Sequence, residues 1–178
     1  MKLPTLHQFF RRQLQRGFQT FGMTEPETIE YVSDMLSRFA LTRAVYAVRD
    51  TDGKALQHIC DMLQERYRAQ NPELGTRDPT RERTITRHIG EYSLFMSGLF
   101  RERLRARGQL NYYLAQGSSA YWQCADKEPN SCRRRVYRHL HYGFARVSNA
   151  LDHIRRKQLP FAEGERGDQS FVAAFWRV

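Results

Sequence analysis
The chain has 178 residues and carries 29 Lys and Arg against 19 Asp and Glu, a net charge of +10. That length suits one domain with a buried core, and 40% hydrophobic residues with 12% aromatics can fill it, which excludes a wholly disordered chain. The longest uncharged run, residues 108–125, is broken throughout by Gln, Asn, Ser and Gly and so does not supply the roughly 20 apolar residues that cross a bilayer, and residues 1–20 lack the apolar core of a secretory signal.

In chain order, nearly every segment has helical period and no run alternates as a strand does. Thr5 can cap a first helix, within residues 1–22, in which Leu6, Phe9, Phe10, Leu14 and Phe21 share a face while Arg11, Arg12 and Arg16 lie away from it. Such an amphipathic helix docks on a bundle or a second subunit more commonly than it lies in a membrane interface. Thr24-Glu-Pro-Glu27 reads as a capping box with Pro26 in the first turn. The helix it opens has Ile29, Val32, Met35, Leu36 and Phe39 on one side and Glu27, Glu30 and Asp34 on the other. Its pattern continues to about residue 49 and breaks at Asp50-Thr-Asp-Gly53. Leu56, Ile59, Cys60, Leu63 and Tyr67 then recur at spacings of three and four.

Residues 71–79 are the clearest loop. Over residues 80–100, Ile85, Ile89, Tyr92, Phe95, Met96 and Leu99 form one broad apolar face beside a strip of small residues, Gly90, Ser93 and Ser97, that admits a neighbour closely. A basic connector, 101–108, leads to a helix over 111–125 with Tyr113, Leu114, Tyr121 and Trp122 around Gly117-Ser-Ser-Ala120. Ser131 is placed to cap a long last helix, 131–157, striped by Val136, Leu140, Phe144, Val147, Leu151 and Ile154. In the tail, 159–178, the segment Phe171-Val-Ala-Ala-Phe-Trp176 is expected to dock on the bundle. The fold expected is all-α: an irregular bundle of about six or seven helices in one domain spanning residues 1–178, centred on 80–100 and 131–157.

The motifs Arg87-His-Ile-Gly-Glu-Tyr-Ser-Leu-Phe95, Asn111-Tyr-Tyr-Leu-Ala-Gln-Gly117 and Ser119-Ala-Tyr121 give the chain a further likeness. Over about residues 29–155 it resembles a bacterial family of all-helical proteins to which no activity or ligand is assigned. The resemblance implies a helical fold and nothing about chemistry. That family's last helix is more acidic, so the basic one here is a departure.

No cofactor or catalytic motif is present, so no cofactor is expected and an enzyme is not the first reading. The nearest approach to an active site is His88 with Glu91, three residues apart on one helix and able to touch. A core histidine satisfied by hydrogen bonds is the commoner meaning of that pattern than acid–base catalysis or metal ligation. His58 with Asp61 points away from its helix's apolar stripe, and Cys124, Cys132, His139 and His141 lack the close pairing of a zinc site, so no metal is expected. Three widely spaced cysteines, Cys60, Cys124 and Cys132, suit a reduced cytoplasm.

Charge is the stronger signal. Nine of the ten excess positive charges lie in residues 80–178, and eight basic residues crowd residues 131–157 against one acid, Asp152. On a helical wheel Arg134, Arg135, Arg138, Arg146, His153 and Arg156 group on one face with Tyr142 between them, opposite the apolar stripe. A charged outer face is ordinarily solvated surface. As a functional surface it fits an acidic protein partner first, in a non-enzymatic interaction or regulatory protein, and nucleic acid second. An anionic membrane fits less well, and self-association remains open. A third reading, from a different class, is an enzyme or small-ligand binder with a pocket near His88.

Overall fold
The computed structural model describes residues 5–40, 47–74 and 77–158. They form eight α-helices: α1 (Leu6–Thr20), α2 (Pro26–Phe39), α3 (Ile59–Gln70), α4 (Pro79–Leu99), α5 (Arg101–Ala106), α6 (Leu110–Lys127), α7 (Ser131–Tyr142) and α8 (Phe144–Gln158). A 3₁₀ turn spans Pro72–Leu74, and among the described residues extended pairing is limited to one isolated bridge, Arg49 with Ala55. The all-helical expectation holds; among the described residues eight helices stand where six or seven were expected, because the backbone leaves helical angles at Phe100 and at Gly143. At Gly143 (φ −98°, ψ 10°) residues 131–158 divide into two helices joined there, although Gly143 still donates to the His139 carbonyl and accepts from Val147, both at 2.9 Å.

Caps explain most of the starts. Thr5 and Gln8 form a reciprocal box at α1. Asp78 accepts from Thr80 and Arg81 with Pro79 at the first helical position of α4. Two expected caps shift by one residue. Glu25, not Thr24, precedes α2 and makes no side-chain cap, and Asn130, not Ser131, caps α7 by accepting from the Arg133 N–H. The second helix ends at Phe39, and the expected run toward residue 49 enters 41–46, outside the described residues. The tail from 159 also lies outside them.

α4 is the axis, packed by α3, α6 and α8, while α1 lies between α2 and α8 and α7 rests on α6 and α2. From Ile85 to Leu99 all but Arg87 are buried, so the second half of α4 is enclosed on every side. Its small residues make that possible. Phe144 sits in the notch between Gly117 of α6 and Ser93 of α4, and Leu151 of α8 lies directly against Gly98. The docked reading of the first helix holds as well: Phe10, Leu14 and Phe18 are buried in the common core.

Three glutamates are buried and each is tied to a cation on another helix or end. Glu65 receives Arg81 at 2.7 Å and Arg68 at 3.4 Å, Glu82 receives Lys127 and Gln70, and Glu91 receives Arg38 and Tyr31. Burial would push the Glu82 carboxyl up, but its bonds from Lys127 and Gln70 hold it below its ordinary value.

Candidate functional site
His88 and Glu91 do not form an open site. His88 is buried with its ring against Phe39 at 5.7 Å and Tyr92 at 6.1 Å, and neither surface cleft described below is lined by it. Both oxygens of Glu91 are engaged: Arg38 donates to Oε1 at 2.8 Å and Oε2 at 3.2 Å, and the Tyr31 hydroxyl donates to Oε1 at 2.8 Å. Burial opposes charge on Arg38, yet the bonds to Glu91 and then Asp34 raise its pKa above the ordinary value. A buried carboxylate held by three hydrogen bonds in this way ties α2 to α4. His88 is thus a core histidine, as its pattern suggested, and the pocket of the third reading is not found around it among the described residues.

The seven residues of the expected basic ridge meet different fates. Arg134 donates to the carbonyls of Glu128 at 2.8 Å and Pro129 at 3.1 Å, fastening the loop before α7. Arg135 pairs with Glu27 of α2 at 3.7 Å. Arg156 pairs with Glu102 and, at 2.9 Å, with Asp152, while His153 is half-buried with its ring 5.5 Å from Phe21. Arg138, Tyr142 and Arg146 remain. The two arginines are exposed and make no ion pair among the described residues, and Tyr142 is 76% exposed. The break in helical backbone at Gly143 adds to this, because one wheel does not describe both halves of the segment.

Around those three the structure gathers residues that helical periodicity did not assign to the ridge. Trp122 of α6 is 46% exposed, and its ring lies 5.2 Å from His141, which in turn lies 4.7 Å from Tyr142. His141 is fixed by Ser118. Its Nδ1 lies 2.9 Å from the Ser118 carbonyl, which can only accept, so Nδ1 carries the proton. The Ser118 hydroxyl, 3.0 Å from the same Nδ1, donates instead to the His141 carbonyl at 3.1 Å. The pair is thus a clamp between α6 and α7 and not an activated nucleophile. Arg138 stands one turn before Tyr142, and Arg146 folds back toward Gly143, so two unpaired guanidiniums flank a chain of three surface rings.

A second feature lies on the neighbouring side of α7. A cleft of about 290 Å³ opens between the first half of α4, the end of α6 and the start of α7. Arg83, Arg87, Lys127 and Arg133 line it against one carboxylate, Glu128. A larger, shallower groove of about 600 Å³ follows Arg11, Arg12 and Arg16 between α1 and α2. Among the described residues no group of three or more His, Cys, Asp or Glu side chains is placed to hold a metal ion, and no helix is long and apolar enough to cross a membrane.

Comparison with protein-family models, with curated proteins and with solved structures gave no match.

Proposed function
We propose that this protein is a non-enzymatic binding module that takes an acidic protein segment on the basic and aromatic patch formed by Trp122, Arg138, His141, Tyr142 and Arg146. The observation that carries this reading is the contiguous run of surface rings beside two arginines without ion pairs. Elsewhere on α7 and α8, Arg134, Arg135 and Arg156 are held by carbonyls or carboxylates of the protein itself, as on ordinary solvated surface. Trp, Tyr and Arg are the residue types that dominate binding energy at protein interfaces. Here the rings cost little ordering entropy, because the Ser118 clamp already fixes His141 between them.

Nucleic acid is the second reading, supported by the same rings as stacking platforms for unpaired bases. The experiment is equilibrium binding of poly-glutamate and of single-stranded RNA at low and near-physiological salt, with an Arg138→Gln, Arg146→Gln double variant and with Trp122→Ala. The acidic-partner reading expects poly-glutamate to bind with an affinity that falls with salt and drops in the double variant. Tighter binding of RNA, lost on Trp122→Ala, would transfer the assignment to nucleic acid. Binding of neither at low salt would overturn both.

A further inference from the structure
The cleft between α4, α6 and α7 has a floor as well as a charged rim. Tyr137 lines it while only 4% exposed, its ring stacked on Tyr121 at 5.9 Å and edge-on to Tyr31 at 5.8 Å. Its hydroxyl makes no hydrogen bond among the described residues. The groups that act on it electrostatically include Cys124, Arg87 and Glu128, all lining the same cleft. A buried phenol with an unused donor therefore faces the cavity. Burial, reinforced by Cys124, pushes that phenol up to about 12, so it is a donor at every ordinary pH.

The cations around it come from three elements: Arg83 and Arg87 one turn apart on α4, Lys127 at the end of α6, and Arg133 in the first turn of α7. Their existing commitments are unequal. Lys127 is bound to Glu82, and Arg133 is 3.7 Å from Glu128. Glu128 also accepts from the Asn130 N–H at 3.0 Å. Arg83 bonds only to the Pro79 carbonyl at 3.3 Å, and Arg87 makes no hydrogen bond or ion pair among the described residues. Two guanidiniums thus face a polar cavity without a counter-charge of their own.

We propose that this cleft binds the phosphoryl group of a small phosphomonoester, held by Arg83, Arg87 and Arg133 with the Tyr137 hydroxyl donating from the floor. The geometry selects phosphate over carboxylate. A carboxylate presents two oxygens in one plane, whereas guanidiniums approaching from two helices, α4 and α7, with a phenol at the floor match a tetrahedral group. A phosphomonoester also carries a charge of about −1.5 to −2 near neutral pH, which suits this excess of cations. The volume of about 290 Å³ lies at the small end of ligand pockets, so the body attached to the phosphoryl group is small. This site is separate from the Trp122–Tyr142 patch and does not depend on its reading.

The test is calorimetric titration of the full chain with inorganic phosphate, glycerol 3-phosphate and, as the planar control, succinate. Saturable binding of glycerol 3-phosphate is expected, with succinate at least about tenfold weaker. Arg87→Gln and Arg133→Gln, on opposite walls, should each weaken binding about tenfold, the scale of one charge-assisted bond. Tyr137→Phe should weaken it severalfold while circular dichroism shows the fold intact. Arg12→Gln in the α1–α2 groove and Arg138→Gln in the aromatic patch should leave the affinity unchanged. Inorganic phosphate binding as tightly as glycerol 3-phosphate would overturn the ester assignment, and succinate binding equally well would overturn the phosphate one. Absence of saturable binding by any phosphate probe would overturn the site. So would binding that survives Arg87→Gln but is lost in Arg12→Gln.

Discussion

At Glu91 the two partners of one ion pair are unequally placed, and that inequality makes a prediction. Glu91 is 2% exposed, whereas Arg38 is 39% exposed and can return to water if its partner is changed. Glu91→Gln keeps an acceptor for Tyr31 and releases Arg38 outward, so it should destabilise by about 1–3 kcal/mol. Arg38→Ala strands a carboxylate in the core and should cost about 3–5 kcal/mol. Urea unfolding of both variants decides the matter, and the reverse order would mean that Glu91 has water or another donor within reach. Tyr142 is the opposite case. With 76% of its surface exposed, Tyr142→Ala should change stability by no more than about 0.5 kcal/mol while weakening whatever partner the patch binds. A large loss of stability in that variant would recast the patch as part of the fold.

Between elements, the strip of small residues on α4 sets how closely α6 and α8 approach. At Gly98 an added methyl would lie 2.6 Å from the Leu151 Cβ. Because that atom is bonded directly to the backbone of α8, rotamer changes cannot clear it and the two helices must part. Alanine is worth about 1 kcal/mol more than glycine inside a helix, so on propensity alone Gly98→Ala would stabilise. Packing should win, with a net loss of about 1–3 kcal/mol by thermal or urea unfolding. A stabilised variant would show that the α4–α8 contact is loose. The same close approach explains why the second half of α4 is buried on all sides, a condition that its single apolar face on a helical wheel does not convey.

For the molecule as a whole, the buried phenols and thiol make stability depend on alkaline pH. Burial, then the neighbouring charges of Tyr121 and Glu91, raises Tyr31 well above the ordinary tyrosine value of 10.0. Burial does the same to Tyr121, and it takes Tyr137 from 10.0 and Cys124 from 9.0 up to about 12. Each group stays neutral in the folded state at pH values where the unfolded chain releases its proton. The stabilising contribution is therefore complete below about pH 9 and is lost as pH rises from there through about 12. The urea midpoint should fall across that window, and tyrosinate absorbance should show a late group of tyrosines ionising together with unfolding. All nine tyrosines titrating smoothly near pH 10, ahead of unfolding, would contradict it.

What the sequence determined by itself is what repeats over a few residues: the helical class, the loop at 71–79, the apolar face of α4, and its small-residue strip. Helical period and capping are local, so a wheel and a propensity scale capture them. Only the tertiary structure decided which charges are spent and which are free. Arg135 meets Glu27 and Arg156 meets Glu102 across dozens of residues, which removes both from a ridge that looked uniform in sequence, and Lys127 is taken by Glu82 in the same way. Arg83, Arg87, Arg133 and Tyr137 left only the faint signal of pairs four apart, 83 with 87 and 133 with 137, on helices whose relative rotation the sequence does not state. The sequence groups Trp122 with Tyr113, Leu114 and Tyr121 around a small-residue cluster, yet Tyr121 is fully buried and Trp122 is 46% exposed, a division between neighbours about 100° apart on one helix that only packing decides. Partners across an interhelical seam depend on how whole helices pack, and that balance is struck by the core, not by the local sequence around each charge.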